Sequence, residues 1–260
     1  VRVQLDLPLG EILASVELAA PEGPRLVPVE VVRSARRRRL ALLVTLDGRV
    51  EVRAPLKVPQ AEILALLDQH RRWVTRKLAE HAALPAWEVR WGAGGHWYWQ
   101  GALQLLAGGR PAGLVDGLLR LPLTEHAPAA QWRRRLLDWH RTATRNWLEP
   151  QVQALFAQHH DDDVLESIDW RWMRATWGTC RSRRLPDGRR SVALRFNPWL
   201  GALPPNLALA VVLHELAHVR HMNHGARFYQ RLERLDPDWR VHDRELTAWA
   251  RRLFPALDAR

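Results

Sequence analysis

The stretch VVLHELAHVRHMNH, residues 211–224, holds four of the chain's twelve histidines and one glutamate inside an otherwise apolar run. On a helix, His214 and His218 stand one turn apart on the same face, so their ring nitrogens can converge on one cation. Glu215 projects at a different angle, from which it can reach a water on that cation without binding the metal. Zinc takes neutral imidazole nitrogens at about 2.0–2.1 Å, keeps one position open in catalytic sites and lowers the pKa of the water there to roughly 7. Glu215 would take that water's proton and later pass it to the leaving group.

Two protein ligands are too few for a typical catalytic zinc, which has three. The candidates for the third are His221, His224, His242, Glu233 and Glu245. If the helix continues past His218, His221 lies too far along it. His224 is favoured, because its distance from His218 matches the HExxHxxGxxH arrangement. His221 occupies the glycine position of that pattern, so the turn is assigned to Met222-Asn223; Glu245 is the alternative ligand. The single cysteine, Cys180, excludes an intramolecular disulfide and an all-thiolate zinc site, and points to a cytoplasmic protein.

These residues need a scaffold. The apolar LALAVVL run before His214 predicts a buried helix that starts at Pro204-Pro205-Asn206, continues through Met222 and ends at Asn223-His224-Gly225, where Asn and Gly tolerate left-handed backbone. Helices over ARFYQRLERL and RVHDRELTAWARRLF follow. Upstream, residues 168–200 read as two strands joined at Pro186-Asp187-Gly188. Residues 129–158 read as a long helix with a kink or break at Pro150, and HHDDDV, His159 to Val164, as a loop. In the first half, LALLVTL and RVEVRA flank Asp47-Gly48 as a hairpin, RSARRRR is a solvated charge run, residues 59–83 form a helix, and the Gly-punctuated stretch from Trp87 to Leu123 forms short strands. The fold class is α+β, with a β-rich N-terminal region over 1–125 and a metal-binding region over 126–260.

The chain has 260 residues, 47% of them hydrophobic and 26% charged, a globular balance. No apolar stretch is long enough to span a bilayer, and the opening residues carry no secretory pattern. The formal net charge is +11. Lysine occurs only at Lys57 and Lys77, an Arg skew that coding bias also produces, so non-specific nucleic-acid contact is an alternative reading of the charge rather than its necessary meaning.

WGTC at Trp177 to Cys180, followed by VALRFNPWL and HELAHVRHMNHGARFYQ, resembles the YgjP-like metallopeptidase family, relatives of the SprT-like zincins. GRVEVRAP and RRWVTRKL in the first half share the resemblance. Thr179 stands where serine is commoner, Tyr229 follows Phe228, and the RSRRLPDGRR turn is longer, none of which touches a proposed ligand. The resemblance implies one zinc ion on His214, His218 and His224, Glu215 as catalytic acid/base, and a zincin-like core whose edge strand takes a peptide or protein substrate by β-augmentation. RSVALRFN and RWMRATWG are the candidate strands, and Trp177, Asn223 and His221 the candidate groove residues. Two rival activities use the same site: a nucleoside triphosphate pyrophosphatase, and a protease recruited to DNA.

Overall fold

The computed structural model describes residues 11–20, 23–45, 49–82, 87 and 89–254. Its described residues divide into two compact units, one of residues up to 87 with those from 250 onward, the other of residues 89–249.

In the first unit, β1 (Glu11–Ala20), β2 (Gly23–Ser34), β3 (Ala41–Val44) and β4 (Val50–Pro55) form a sheet of order β1-β2-β4-β3. β2 and β4 run parallel and the other pairs antiparallel. Strand alternation turns Val50, Val52 and Ala54 inward, against Val29, Val31, Ile63, Leu67 and Val74. β3 and β4 pair as a hairpin requires; the expected turn, Asp47-Gly48, lies outside the described residues. The RSARRRR run begins in β2 with Arg33 and Ser34 and continues as a largely exposed turn over 35–39. In place of the single helix expected over 59–83 there are two, α1 (Gln60–Gln69) and α2 (Arg71–Ala82), broken at His70, where ψ is 12°. Leu67 and Val74 are two turns apart, so the apolar period crosses the break unmarked.

The second unit begins with β5 (His96–Trp99), β6 (Ala102–Gly108), β7 (Gly113–Val115) and β8 (Leu118–Leu121), in the order β5-β6-β8-β7. This sheet is tied to later residues of the same unit. Gln100 and Gly101, in the turn between β5 and β6, donate their N–H groups to the Gly201 and Ala202 carbonyls. Gln100 (φ 47°) and Gly101 (φ 82°) make the turn left-handed, and glycine accepts that conformation without strain.

α3 (Ala129–His159) then leads to β9 (Val164–Trp170), β10 (Gly178–Arg184), β11 (Arg190–Phe196), a 3-10 turn at Pro198–Ala202, α4 (Pro205–His218), α5 (Ala226–Leu235) and α6 (Trp239–Leu253). α3 runs uninterrupted through Pro150. Its buried face, Trp132, Leu136, His140, Thr144, Leu148, Val152 and Phe156, continues on both sides of the proline, and burial of that face offsets the lost backbone bond. The third sheet has the order β10-β11-β9, with β11 antiparallel to β10 and parallel to β9.

His140 lies at the centre of this unit, fully buried among the rings of Trp97, Trp99, Trp139, Trp172 and Trp199. Its Nδ1 accepts from Trp97 Nε1 (2.9 Å), and its Nε2–H donates to the Pro198 carbonyl (3.0 Å). Only the neutral Nε2–H tautomer serves both partners. Burial pushes its pKa down from 6.5 to about 3, against the raising effect of the Pro198 bond. The unfolded chain therefore binds a proton below pH 6.5 that folded His140 refuses until about pH 3. Stability from this group is complete above pH 6.5 and falls with pH through that window, by up to about 1.4 kcal/mol per pH unit. Urea unfolding of the wild type and His140→Gln should differ by about 2 kcal/mol near neutrality. That difference should shrink steadily on acidification; a pH-independent difference would exclude His140 as the source.

Candidate metal centre

α4 begins with Pro205 in its first turn, where a missing N–H costs no hydrogen bond. Leu207, Ala208, Ala210, Val211, Val212, Leu216 and Ala217 are buried around it, so the helix carrying the histidines is fixed by the core. His214, His218 and His224 each offer a ring nitrogen, all within 4.8 Å of one another. His214 Nε2 and His224 Nε2 are 3.1 Å apart. Two nitrogens on one tetrahedral zinc lie about 3.3 Å apart, so this pair has the spacing of a shared cation. Phe228, fully buried at the start of α5, packs its ring against all three imidazoles at 4.5–5.0 Å between centroids.

His214 and His218 are in the state a metal requires. Burial, helped by the neighbouring His218 and His224, pushes the His214 pKa down to about 4, which keeps that ring neutral. His218 Nδ1–H donates to the His221 carbonyl (3.0 Å), leaving Nε2 as the free lone pair. This bond depends on the helix ending at His218, four residues before the expected end. Val219 keeps helical backbone and His221 N–H still donates to the Ala217 carbonyl (3.3 Å), after which the bend over 221–225 brings His224 back to His214. Neither Asn223 nor Gly225 takes left-handed backbone; Gly225 has φ −90°.

The early end is stabilised from outside the helix. His160 Nε2–H donates to the Leu216 carbonyl (3.1 Å), and Ser182 Oγ donates to the Val219 carbonyl (2.9 Å). His160 and Asp163 are almost completely buried, and Asp163 accepts from Arg190 N (2.9 Å) and pairs with Arg220 (2.9 Å). Of the expected loop over HHDDDV, only residues 160–163 lie outside α3 and β9, and two of them hold the end of the histidine helix. Their type gave no such signal in the sequence, because their partners lie remote along the chain.

Glu215 is 6% exposed, and burial pushes its carboxyl pKa up to about 8. Gly178, the first residue of β10, makes room for it: a Cβ there would lie 2.8 Å from Glu215 Cγ and 2.9 Å from Oε1. The glycine of WGTC therefore has a steric reason. The Cys180 thiol, buried on the same strand, is pushed up to about 12 by burial and by the Glu215 carboxylate. It stays protonated and takes no part in the histidine cluster.

The alternative ligands are placed elsewhere. Glu233 accepts from Trp239 and Arg240, His242 Nδ1 lies 2.8 Å from Asp236, and Glu245 is exposed on α6. His221 enters through its backbone, as the acceptor for His218. Asn223 is exposed in the bend, and half-buried Trp177 precedes Gly178, its carbonyl accepting from Asn197 N (2.8 Å). Both strands expected to receive a peptide are corrected. RSVALRFN forms β11, which is central, with both edges already paired; RWMRATWG is a loop up to Gly178, held by Asn197 Nδ2 donating to the Met173 and Thr176 carbonyls (2.7 and 2.9 Å). The edge beside α4 belongs to β10.

A mixed α+β fold carrying this cluster is consistent with a metallopeptidase domain, and the family match gives the class, a metal-dependent hydrolase. The chain belongs to the YgjP-like metallopeptidase-domain family, whose model matches residues 38–248. No curated protein and no solved structure matches it significantly. No helix among the described residues is long and apolar enough to cross a membrane.

Gly178→Ala tests the steric argument directly. It should cost about 1–3 kcal/mol in denaturant unfolding and displace Glu215 in a crystal structure, while the number of metal ions bound stays unchanged. An undisturbed Glu215 would show that the strand yields instead.

Proposed function

We propose that the protein is a zinc peptidase in which His214, His218 and His224 hold one ion and Glu215 moves the proton. The observation that carries this is the convergence of three imidazole nitrogens at the end of a helix that also carries one buried carboxyl. Three nitrogen donors without a thiolate suit zinc and leave a fourth position open. The packing of α4 beside the β10-β11-β9 sheet supports a zincin-like arrangement of helix and substrate edge.

Bound there, the ion would polarise a substrate carbonyl and make water acidic enough to react at neutral pH. The work of the chain itself is positional. His218 is locked in one tautomer by His221. Phe228 walls the imidazoles from the helix interior. Glu215 receives the proton of the attacking water at a carboxylate oxygen and returns it to the departing amine. Burial raises the Glu215 pKa to about 8; with a cation held by the histidines, the carboxyl would ionise more readily and could both accept and return a proton near neutral pH.

Glu215→Gln should lower peptide hydrolysis by roughly 10²–10⁴-fold with one zinc per chain retained by metal analysis. His214→Ala, His218→Ala and His224→Ala should each lose the zinc. Zinc retained in His224→Ala would remove that ligand. Hydrolysis of nucleoside triphosphates that Glu215→Gln abolishes, with no peptide cleaved, would move the reaction to phosphoanhydrides.

A further inference from the structure

β10 is an edge strand, and among the described residues no strand covers its outer side. Two hydrogen bonds fix which of its backbone groups point there. Asn197 N–H donates to the Trp177 carbonyl, and Leu185 N–H to the Arg189 carbonyl, each at 2.8 Å. Odd-numbered residues of β10 therefore exchange bonds with β11, and the intervening residues turn their N–H and C=O groups the other way. Gly178, Cys180, Ser182 and Arg184 direct theirs to the open edge. The side chains sort just as clearly. Gly178 lies against Glu215, and Ser182 bonds Val219, so these face α4. Thr179, Arg181 and Arg183 point to the opposite, exposed face.

That exposed face is one-sidedly charged beside the edge. Among the described residues, no carboxylate pairs with Arg181, Arg183 or Arg184. The acidic groups of the sheet's outer face belong to β9, across β11, and are engaged: Glu166 accepts from Ser191, and Asp169 pairs with Arg195 (2.7 Å).

We propose that the β10 edge selects peptide segments with acidic side chains at alternate positions, through Arg181 and Arg183. A segment adding to Gly178, Cys180 and Ser182 runs its main chain past Glu215. Every second side chain then falls on the outer face, beside an unpaired guanidinium. A cross-strand pair of opposite charge favours binding by up to about fivefold, and two pairs by roughly tenfold or more. The proposal rests on the peptidase reading, so its test reads binding as well as cleavage.

The probes are two fluorescent peptides of one sequence, with Glu or Lys at two alternate positions on one side of the cleavable bond. With the zinc-loaded full-length protein at low salt, the Glu peptide should show a kcat/KM roughly tenfold higher, arising in KM and shrinking as salt rises. Arg181→Glu/Arg183→Glu should reverse the preference, and Arg181→Gln/Arg183→Gln should abolish it. Anisotropy titration of both peptides into Glu215→Gln should show the same order of affinities. Equal affinities, a preference that the arginine variants leave unmoved, or no binding of either peptide overturns the proposal. So does tighter binding of a nucleoside triphosphate or duplex DNA that is lost on the same substitutions. Cleavage without charge preference overturns it and leaves the peptidase reading standing. Charge-selective binding without cleavage of any peptide sinks the peptidase reading and leaves the edge assigned.

Discussion

The geometry of the centre depends on one hydrogen bond, from His218 Nδ1–H to the His221 carbonyl. It fixes the tautomer, holds the ring plane, and requires the chain to have left the helix by the His221 carbonyl, since a carbonyl three residues ahead on a continuing helix would point away along the axis. Ending a helix exposes carbonyls that need partners. Leu216 and Val219 receive them from His160 and Ser182, on a loop and a strand far off in sequence. The bend that brings His224 to His214 is therefore secured by tertiary contacts rather than by a glycine in left-handed backbone.

A second constraint is the burial of Glu215. A carboxyl in an apolar surrounding resists ionisation, and the chain accepts that cost on a helix whose other faces supply hydrophobic stabilisation. Gly178 couples the two halves of the site. Its missing side chain sets the distance between β10 and α4, so the open-edged strand and the buried carboxyl are held in register by one close contact.

Much of the centre was legible because its chemistry restricts residue type. Imidazoles one turn apart with a glutamate between them, and His224 at productive spacing, pick out the residues the fold brings together. The end of α4 was not legible, because HELAHVRHM has no breaker after His218 and the signals that stop it lie at His160 and Ser182. Neither was the central place of β11. Val192, Leu194 and Phe196 read as apolar alternation whether a strand is paired on one side or two, and only the parallel partner β9 distinguishes them. Pro150 and His70 fail in opposite directions. A proline that should break a helix is carried through by a long buried face, and an unremarkable histidine ends one between two segments of the same period.

Net charge illustrates the same difference between composition and placement. A formal +11 fits coding bias, polyanion binding and acidic substrates equally. In the fold, many arginines are already spoken for: Arg195 by Asp169, Arg220 by Asp163, Arg145 by Glu149, Arg189 by Asp187, Arg240 by Glu233. Exposed pairs of this kind contribute little to stability, but they cancel local charge. What remains beside the open edge of β10 is a short row of guanidiniums whose spacing is that of a strand. The period-two repeat that places Gly178 and Ser182 against the helix also places Arg181 and Arg183 on the other face, so the charge there carries a direction and a spacing that a total of +11 does not.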